Sequence, residues 1–75
     1  MACINPDGTL TDAAQKVLAA LKKRSKDTDV AAMINLPVYR VRSSLRELAD
    51  IGFVDETNGQ YSLTGAGETK LQEQS

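Results

Sequence analysis

The chain has no histidine, no tryptophan and a single cysteine among its 75 residues. Without histidine the commonest general base is missing. With only one cysteine beside that gap, the usual His/Cys zinc sites cannot be assembled. Cys3 cannot close an internal disulfide and reads as an incidental thiol near the chain start. Long apolar runs are also missing: nothing approaches the ~18 consecutive apolar residues of a membrane span, so no membrane partner is expected. The opening MACINPDGTL lacks a basic segment followed by an apolar one, which argues against a signal peptide and makes a cytoplasmic location the expectation. Carboxylates do come in pairs, Asp27 with Asp29 and Asp55 with Glu56. The first pair falls at an expected helix start and the second in an expected hairpin, so neither outlines a catalytic cleft. The expectation is a protein that is not an enzyme and needs no metal or cofactor.

An excess of basic charge is absent as well. The net charge is −1, whereas nucleic-acid-binding domains are often basic overall. Distribution matters more than the sum. Residues 1–36 hold Lys16, Lys22, Lys23, Arg24 and Lys26 against Asp7, Asp12, Asp27 and Asp29. Residues 37–51 hold Arg40, Arg42 and Arg46 against Glu47 and Asp50, while residues 52–75 hold only Lys70 against Asp55, Glu56, Glu68 and Glu73. The positive charge thus gathers near the end of the first expected helix and along the third, and the acidic charge lies beyond.

What is present reads as one small folded domain, mainly α with a small β-hairpin (α+β). Residues 1–10 form an irregular arm with turn chemistry at Pro6-Asp7-Gly8. Thr11 is a good N-cap, and Ala14, Val17, Leu18 and Leu21 recur at helical spacing, which predicts a first helix over 11–24 with Lys22, Lys23 and Arg24 in its last turn. Asp27 or Thr28 is expected to cap a second helix over 27–35, with Val30, Ala31 and Ile34 inward and Asn35 in the left-handed C-terminal position. Leu36 would plug the turn. Pro37 suits the first turn of a third helix over 37–51, whose apolar stripe is Val38, Val41, Leu45 and Leu48, and Gly52 stops it. Asn58-Gly59 is the strongest short signal for a type I′ hairpin turn, and it pairs Val54 with Leu63 and Glu56 with Tyr61 within 53–63. Thr64 then caps a short helix over 64–73, with Leu71 packing back.

Three stretches carry a family likeness. Val30-Ala31, Ile34 and Leu36-Pro37 fit a helix-turn-helix entry. Val41, Leu45, Leu48 and Gly52-Phe53-Val54 fit a V-x-x-x-L-x-x-L-x-x-x-G-[LF]-[VI] run, and Tyr61-Ser62-Leu63-Thr64 with Gly67 fits Y-x-L-T-x-x-G. In this order the chain resembles the winged helix-turn-helix transcriptional regulators of the MarR, ArsR and PadR kind, over about residues 11–71. The resemblance implies a three-helix core, a two-stranded wing and a short C-terminal helix. It implies double-stranded DNA as partner, with the third helix in the major groove.

Carried over by position, the DNA-binding residues are Tyr39, Arg40, Arg42, Ser43 and Arg46 on the third helix, with Lys26 and Thr28 at the start of the second. Arginine has the fork that pairs with guanine. A homodimer on a pseudo-palindromic site is the expected assembly, using the first helix, the N-terminal arm or the last helix. The sequence departs from the family at the wing tip, where Asp55 and Glu56 would repel phosphate, so the wing is expected to contribute little to DNA binding. On spacing alone, the three arginines fit a solvated helix face equally well. Lys22, Lys23, Arg24 and Lys26 fit a helix end with a soluble loop, and Tyr61 fits packing within the wing. The alternative function is a winged-helix protein-protein interaction module that binds no DNA, favoured by the acidic wing and the near-neutral charge.

Overall fold

A computed structural model describes residues 4–74. Cys3 lies outside them. The element order is α1 (Asp12–Ala20), β1 (Ser25–Lys26), α2 (Asp27–Ile34), α3 (Val38–Ile51), β2 (Val54–Thr57), β3 (Gln60–Leu63) and α4 (Gly65–Glu73). The architecture is α+β: three helices around one core, a hairpin wing, and a short C-terminal helix.

Each boundary has a local cause. The Thr11 hydroxyl accepts the Ala14 N–H at 3.2 Å and caps α1. Two helices end in left-handed residues. Asn35 (φ 58°) closes α2, and Gly52 (φ 100°) closes α3. At the α3 end the Phe53 N–H returns to the Leu48 carbonyl at 3.0 Å, and the Gly52 N–H reaches Ala49 and Leu48 at 3.1 Å. This is the Schellman arrangement, and it satisfies carbonyls that the helix end would otherwise leave open. Positive φ at Asn58 (53°) and Gly59 (79°) makes the two-residue hairpin turn. The register is Val54 opposite Leu63 and Glu56 opposite Tyr61, so Val54 faces the core.

The core joins the first three helices, and Leu71 of α4 packs against it. Ala14, Val17, Leu18 and Leu21 meet Val30 and Ala31, then Val41, Leu45 and Leu48, and Val54 closes it from the wing. Ser44 is also buried on α3, between the apolar positions of the same stripe. Full burial of a Leu or Val contributes about 1.5–3 kcal/mol each, so this cluster is the main source of stability in a small domain.

Three expectations are corrected. The first helix stops at Ala20, with Leu21 as its cap, so Lys22, Lys23 and Arg24 lie in the following loop rather than in a last turn. The chain has to turn there to bring Ser25 and Lys26 beside β3, where they pair with Tyr61 and Gln60. The sheet is therefore three-stranded and antiparallel, in the order β1-β3-β2. Lys26, not Asp27 or Thr28, occupies the N-cap of α2, and it makes no side-chain capping bond. Pro37 is the N-cap of α3 rather than part of its first turn. The irregular arm takes part in the core: Leu10 is 2 % exposed, and Ile4 bridges to Leu10 across the turn at Pro6-Asp7-Gly8.

The last helix is fastened at both ends. At its start the Thr64 hydroxyl donates to the Gly52 carbonyl at 2.6 Å and accepts the Gly67 N–H at 3.1 Å. At its end the Gln74 side-chain amide grips the backbone of Leu10. Its Oε1 accepts the Leu10 N–H at 2.6 Å, and its Nε2 donates to the Leu10 carbonyl at 3.4 Å. Gly67 lies so close to the wing entry that a Cβ there would stand 2.0 Å from the Phe53 carbonyl oxygen.

Candidate nucleic-acid interface

The outer face of α3 follows from its inner one. Val41, Ser44, Leu45 and Leu48 are buried. At 100° per residue, the opposite stripe is Tyr39, Ser43, Arg46 and Asp50, with Arg42 on one flank and Arg40 on the other. All six are exposed, Tyr39 to 68 %. Charge is divided along the helix. Residues 38–46 carry Arg40, Arg42 and Arg46 and no acid, whereas Glu47 and Asp50 follow. The positive end of the helix dipole reinforces the basic half.

Arg42, Ser43 and Arg46 line an open groove with Asp27, Glu47, Asp50 and Tyr61. The groove has α3 on one side and the start of α2 with strand β3 on the other. Tyr39, Arg40, Lys26 and Thr28 do not line it. Lys26 is exposed in β1 opposite Gln60 of the wing. Thr28 is exposed in the first turn of α2, where its N–H donates to Asp27 Oδ1 at 2.7 Å. The expected residues are thus split between the groove, the exposed start of α3 and the edge where α2 meets the sheet.

One contact in the groove was not foreseen. The Arg42 Nε–H donates to Asp27 Oδ2 at 2.6 Å, an ion pair between residues fifteen positions apart. Arg42 remains 61 % exposed, while Asp27 is 22 % exposed. The bond from Arg42 holds the Asp27 carboxyl below the usual carboxylate range, with a smaller part from the Thr28 N–H. The same bond raises the Arg42 guanidinium, with Tyr61 adding slightly. An acid one residue into a helix reads from sequence as a capping group, and nothing in the spacing announces its partner on α3.

The wing tip is acidic, and its charges are used locally. Glu56 Oε2 accepts the Gly59 N–H at 2.8 Å, and the Thr57 hydroxyl donates to Asp55 Oδ2 at 3.3 Å. Glu56 thereby stiffens the turn, and both carboxylates stay exposed. Among the described residues no group of three or more His, Cys, Asp or Glu could hold a metal ion. Among them, too, no helix is long and apolar enough to cross a membrane.

The sequence matches no protein-family model and no curated protein. Among solved structures, the fold is similar to that of PigF with SAH, with a TM-score of 0.66 at 22 % identity. The match covers 79 % of this chain and 18 % of that chain, so what is shared is a fold that makes up a small part of the other protein.

Proposed function

We propose that this domain is a sequence-specific DNA-binding module that acts in transcriptional regulation, with the N-terminal half of α3 entering the major groove. The observation that carries the reading is the exposed, acid-free run of Tyr39, Arg40, Arg42, Ser43 and Arg46 at the start of α3. An α-helix fits the major groove, and arginine forks read guanine edges there. Lys26 and Thr28, at the junction of β1 and α2, are placed to take phosphates on one side. The acidic wing does not take part. A homodimer on a pseudo-palindromic site in the cytoplasm completes the reading, and the domain itself performs no chemistry.

The test is a titration of labelled protein with a random duplex at low and at moderate salt. Counterion release predicts that log affinity falls with log salt by about 0.9 for each phosphate contacted. Resonance shifts should gather in residues 38–46 and fade as salt rises, and a variant carrying Arg40→Ala and Arg46→Ala should lose most of them. Absence of shifts in the wild-type chain at low salt sinks the proposal.

A second reading rests on other observations: the acidic wing, and the occurrence of this fold as 18 % of a chain solved with SAH. On that reading the domain is a protein-interaction module, and the wing meets a basic protein surface. Binding would then survive moderate salt better than DNA binding does, and charge reversal at Asp55 and Glu56 would abolish it.

A further inference from the structure

The DNA reading leaves Asp27 unexplained. An acid within bonding distance of a DNA-reading arginine cancels charge that phosphate would otherwise attract. Its geometry suggests a different use. Both carboxylate oxygens are engaged. Oδ1 accepts the Thr28 N–H at 2.7 Å, which ties the side chain to the first turn of α2, and Oδ2 accepts the Arg42 Nε–H at 2.6 Å. Asp27 is largely covered and Arg42 largely exposed. The order therefore runs outward from the α2 backbone, through the carboxylate, to the guanidinium.

Which nitrogen is taken matters. An arginine has five N–H donors in a planar fork. The bond to Asp27 uses the single one on Nε, and among the described residues the guanidinium makes no other bond. The donors on both terminal nitrogens stay available, and these can form the two parallel bonds to guanine O6 and N7. A long side chain free to rotate gives up rotamer freedom when it docks, whereas one already held does not.

The geometry points to Asp27 as a positioning residue that holds Arg42 for end-on, two-bond recognition of a guanine by its terminal nitrogens. This inference rests on the DNA-binding reading above. It adds that Arg42 specifies sequence, while Arg40, Arg46 and Lys26 supply attraction to the duplex. The consequence is an opposition of sign. Removing the Asp27 charge should leave affinity for random DNA unchanged or higher, because a repulsive acid is gone, and should lower discrimination, because Arg42 is no longer held.

The experiment uses the full chain and a preferred duplex selected from a random pool. Affinity is measured for that duplex, for the same duplex with each guanine in turn replaced by 7-deazaguanine, and for a random duplex. In the wild type, one guanine should lose about five- to hundredfold on removal of N7. Asp27→Asn keeps the side-chain size but carries no charge and has one oxygen where the carboxylate has two, so it cannot hold the Thr28 N–H and the Arg42 Nε–H on separate oxygens. It should shrink that ratio most of the way to one without weakening random binding. Arg42→Lys should shrink the ratio likewise, and Asp27→Asn should add nothing in an Arg42→Ala background. In the free protein, the Arg42 Nε–H should give a sharp, slowly exchanging resonance that vanishes in Asp27→Asn, and this readout needs no DNA.

Equal loss on selected and random duplexes, or wild-type discrimination in Asp27→Asn, overturns the positioning role and leaves DNA binding standing. A wild-type chain that binds neither duplex overturns both. If Asp27→Asn does not fold, the Arg42 Nε–H resonance of the wild type and the Arg42→Lys ratios decide the matter: a rapidly exchanging Nε–H, or unchanged discrimination in Arg42→Lys, refutes the inference.

Discussion

Replacing Gly67 with alanine sets two physical effects against each other, and the structure says which wins. Gly67 is buried in α4 and has no left-handed φ. Propensity alone therefore favours alanine, by about 0.8–1 kcal/mol in a helix interior. Yet the added Cβ would stand 2.0 Å from the Phe53 carbonyl oxygen, 2.8 Å from its carbon and 3.1 Å from its Cα. All three are backbone atoms, so no rotamer change relieves the clash, and contact falls more than an ångström short of van der Waals distance. Either α4 lifts away or the wing entry shifts. Lifting α4 pulls the Gly67 N–H off the Thr64 hydroxyl and loosens the packing of Leu71. Overpacking of this kind typically costs about 1–3 kcal/mol, and loss of the cap adds about 1 kcal/mol. After the propensity gain, a net destabilisation of about 1–3 kcal/mol remains, a large share of the stability of a domain this small. At about 4–8 °C per kcal/mol, the thermal midpoint should fall by roughly 4–24 °C. Circular dichroism melts and urea titrations measure it directly. Gly65→Ala is the control, because a Cβ there meets nothing within 4 Å, and it should be neutral or slightly stabilising. A Gly67→Ala protein as stable as the wild type would refute the close-packing argument, whatever Gly65→Ala does.

The other predictions concern the groups nearby and the two carboxylates held by hydrogen bonds. Thr64→Val removes a donor to Gly52 and the acceptor of the Gly67 N–H while keeping the shape; it should cost about 1–2 kcal/mol, and Thr64→Ser should recover most of that in the same urea titration. Asp7 is held below its ordinary value chiefly by the Thr9 hydroxyl and then its N–H, and Asp27 chiefly by Arg42. As pH falls through the ordinary carboxylate range near about 3.9, the unfolded chain takes up protons before the folded one, so stability is full above that range and is lost through the lower, folded values. The urea midpoint should drop between about pH 5 and about pH 3, and a chain with both Asp7→Asn and Asp27→Asn should show a shallower drop; an unchanged slope would show that other groups govern it.

The elements fixed by local chemistry were legible in the sequence. Thr11, Asn35, Gly52, Asn58-Gly59 and Thr64 each act within a few residues of their own position, and the structure places each in the role its type suggests. The apolar stripes of α1 and α3 were legible for the same reason, since helical periodicity is a local property. Ser44 escaped because its polarity hid a position that the angle between Val41, Leu45 and Leu48 marks as buried. Strand β1 is two residues, Ser25 and Lys26, with no strand propensity of their own, and it exists because β3 offers them a free edge. Placement of Leu10 in the core depends on Gln74, sixty-four residues away. The candidate site divides along the same line. The exposed arginines were visible as a pattern on one helix, whereas the Asp27 contact that orders one of them joins two helices and has no signature in either.

The clasp between Gln74 and Leu10 brings the arm and the end of α4 side by side. With Leu10 and Gln74 held together, the stretch between them can be spliced into a loop of another protein at little entropic cost, because the guest itself closes the host loop. The same closure makes the chain suitable for circular permutation. A short linker could join Gln74 to the arm before Leu10, and the exposed tip at Asn58-Gly59 could be opened. Three helices would then keep their order around an unbroken core, and the wing would become a pair of termini.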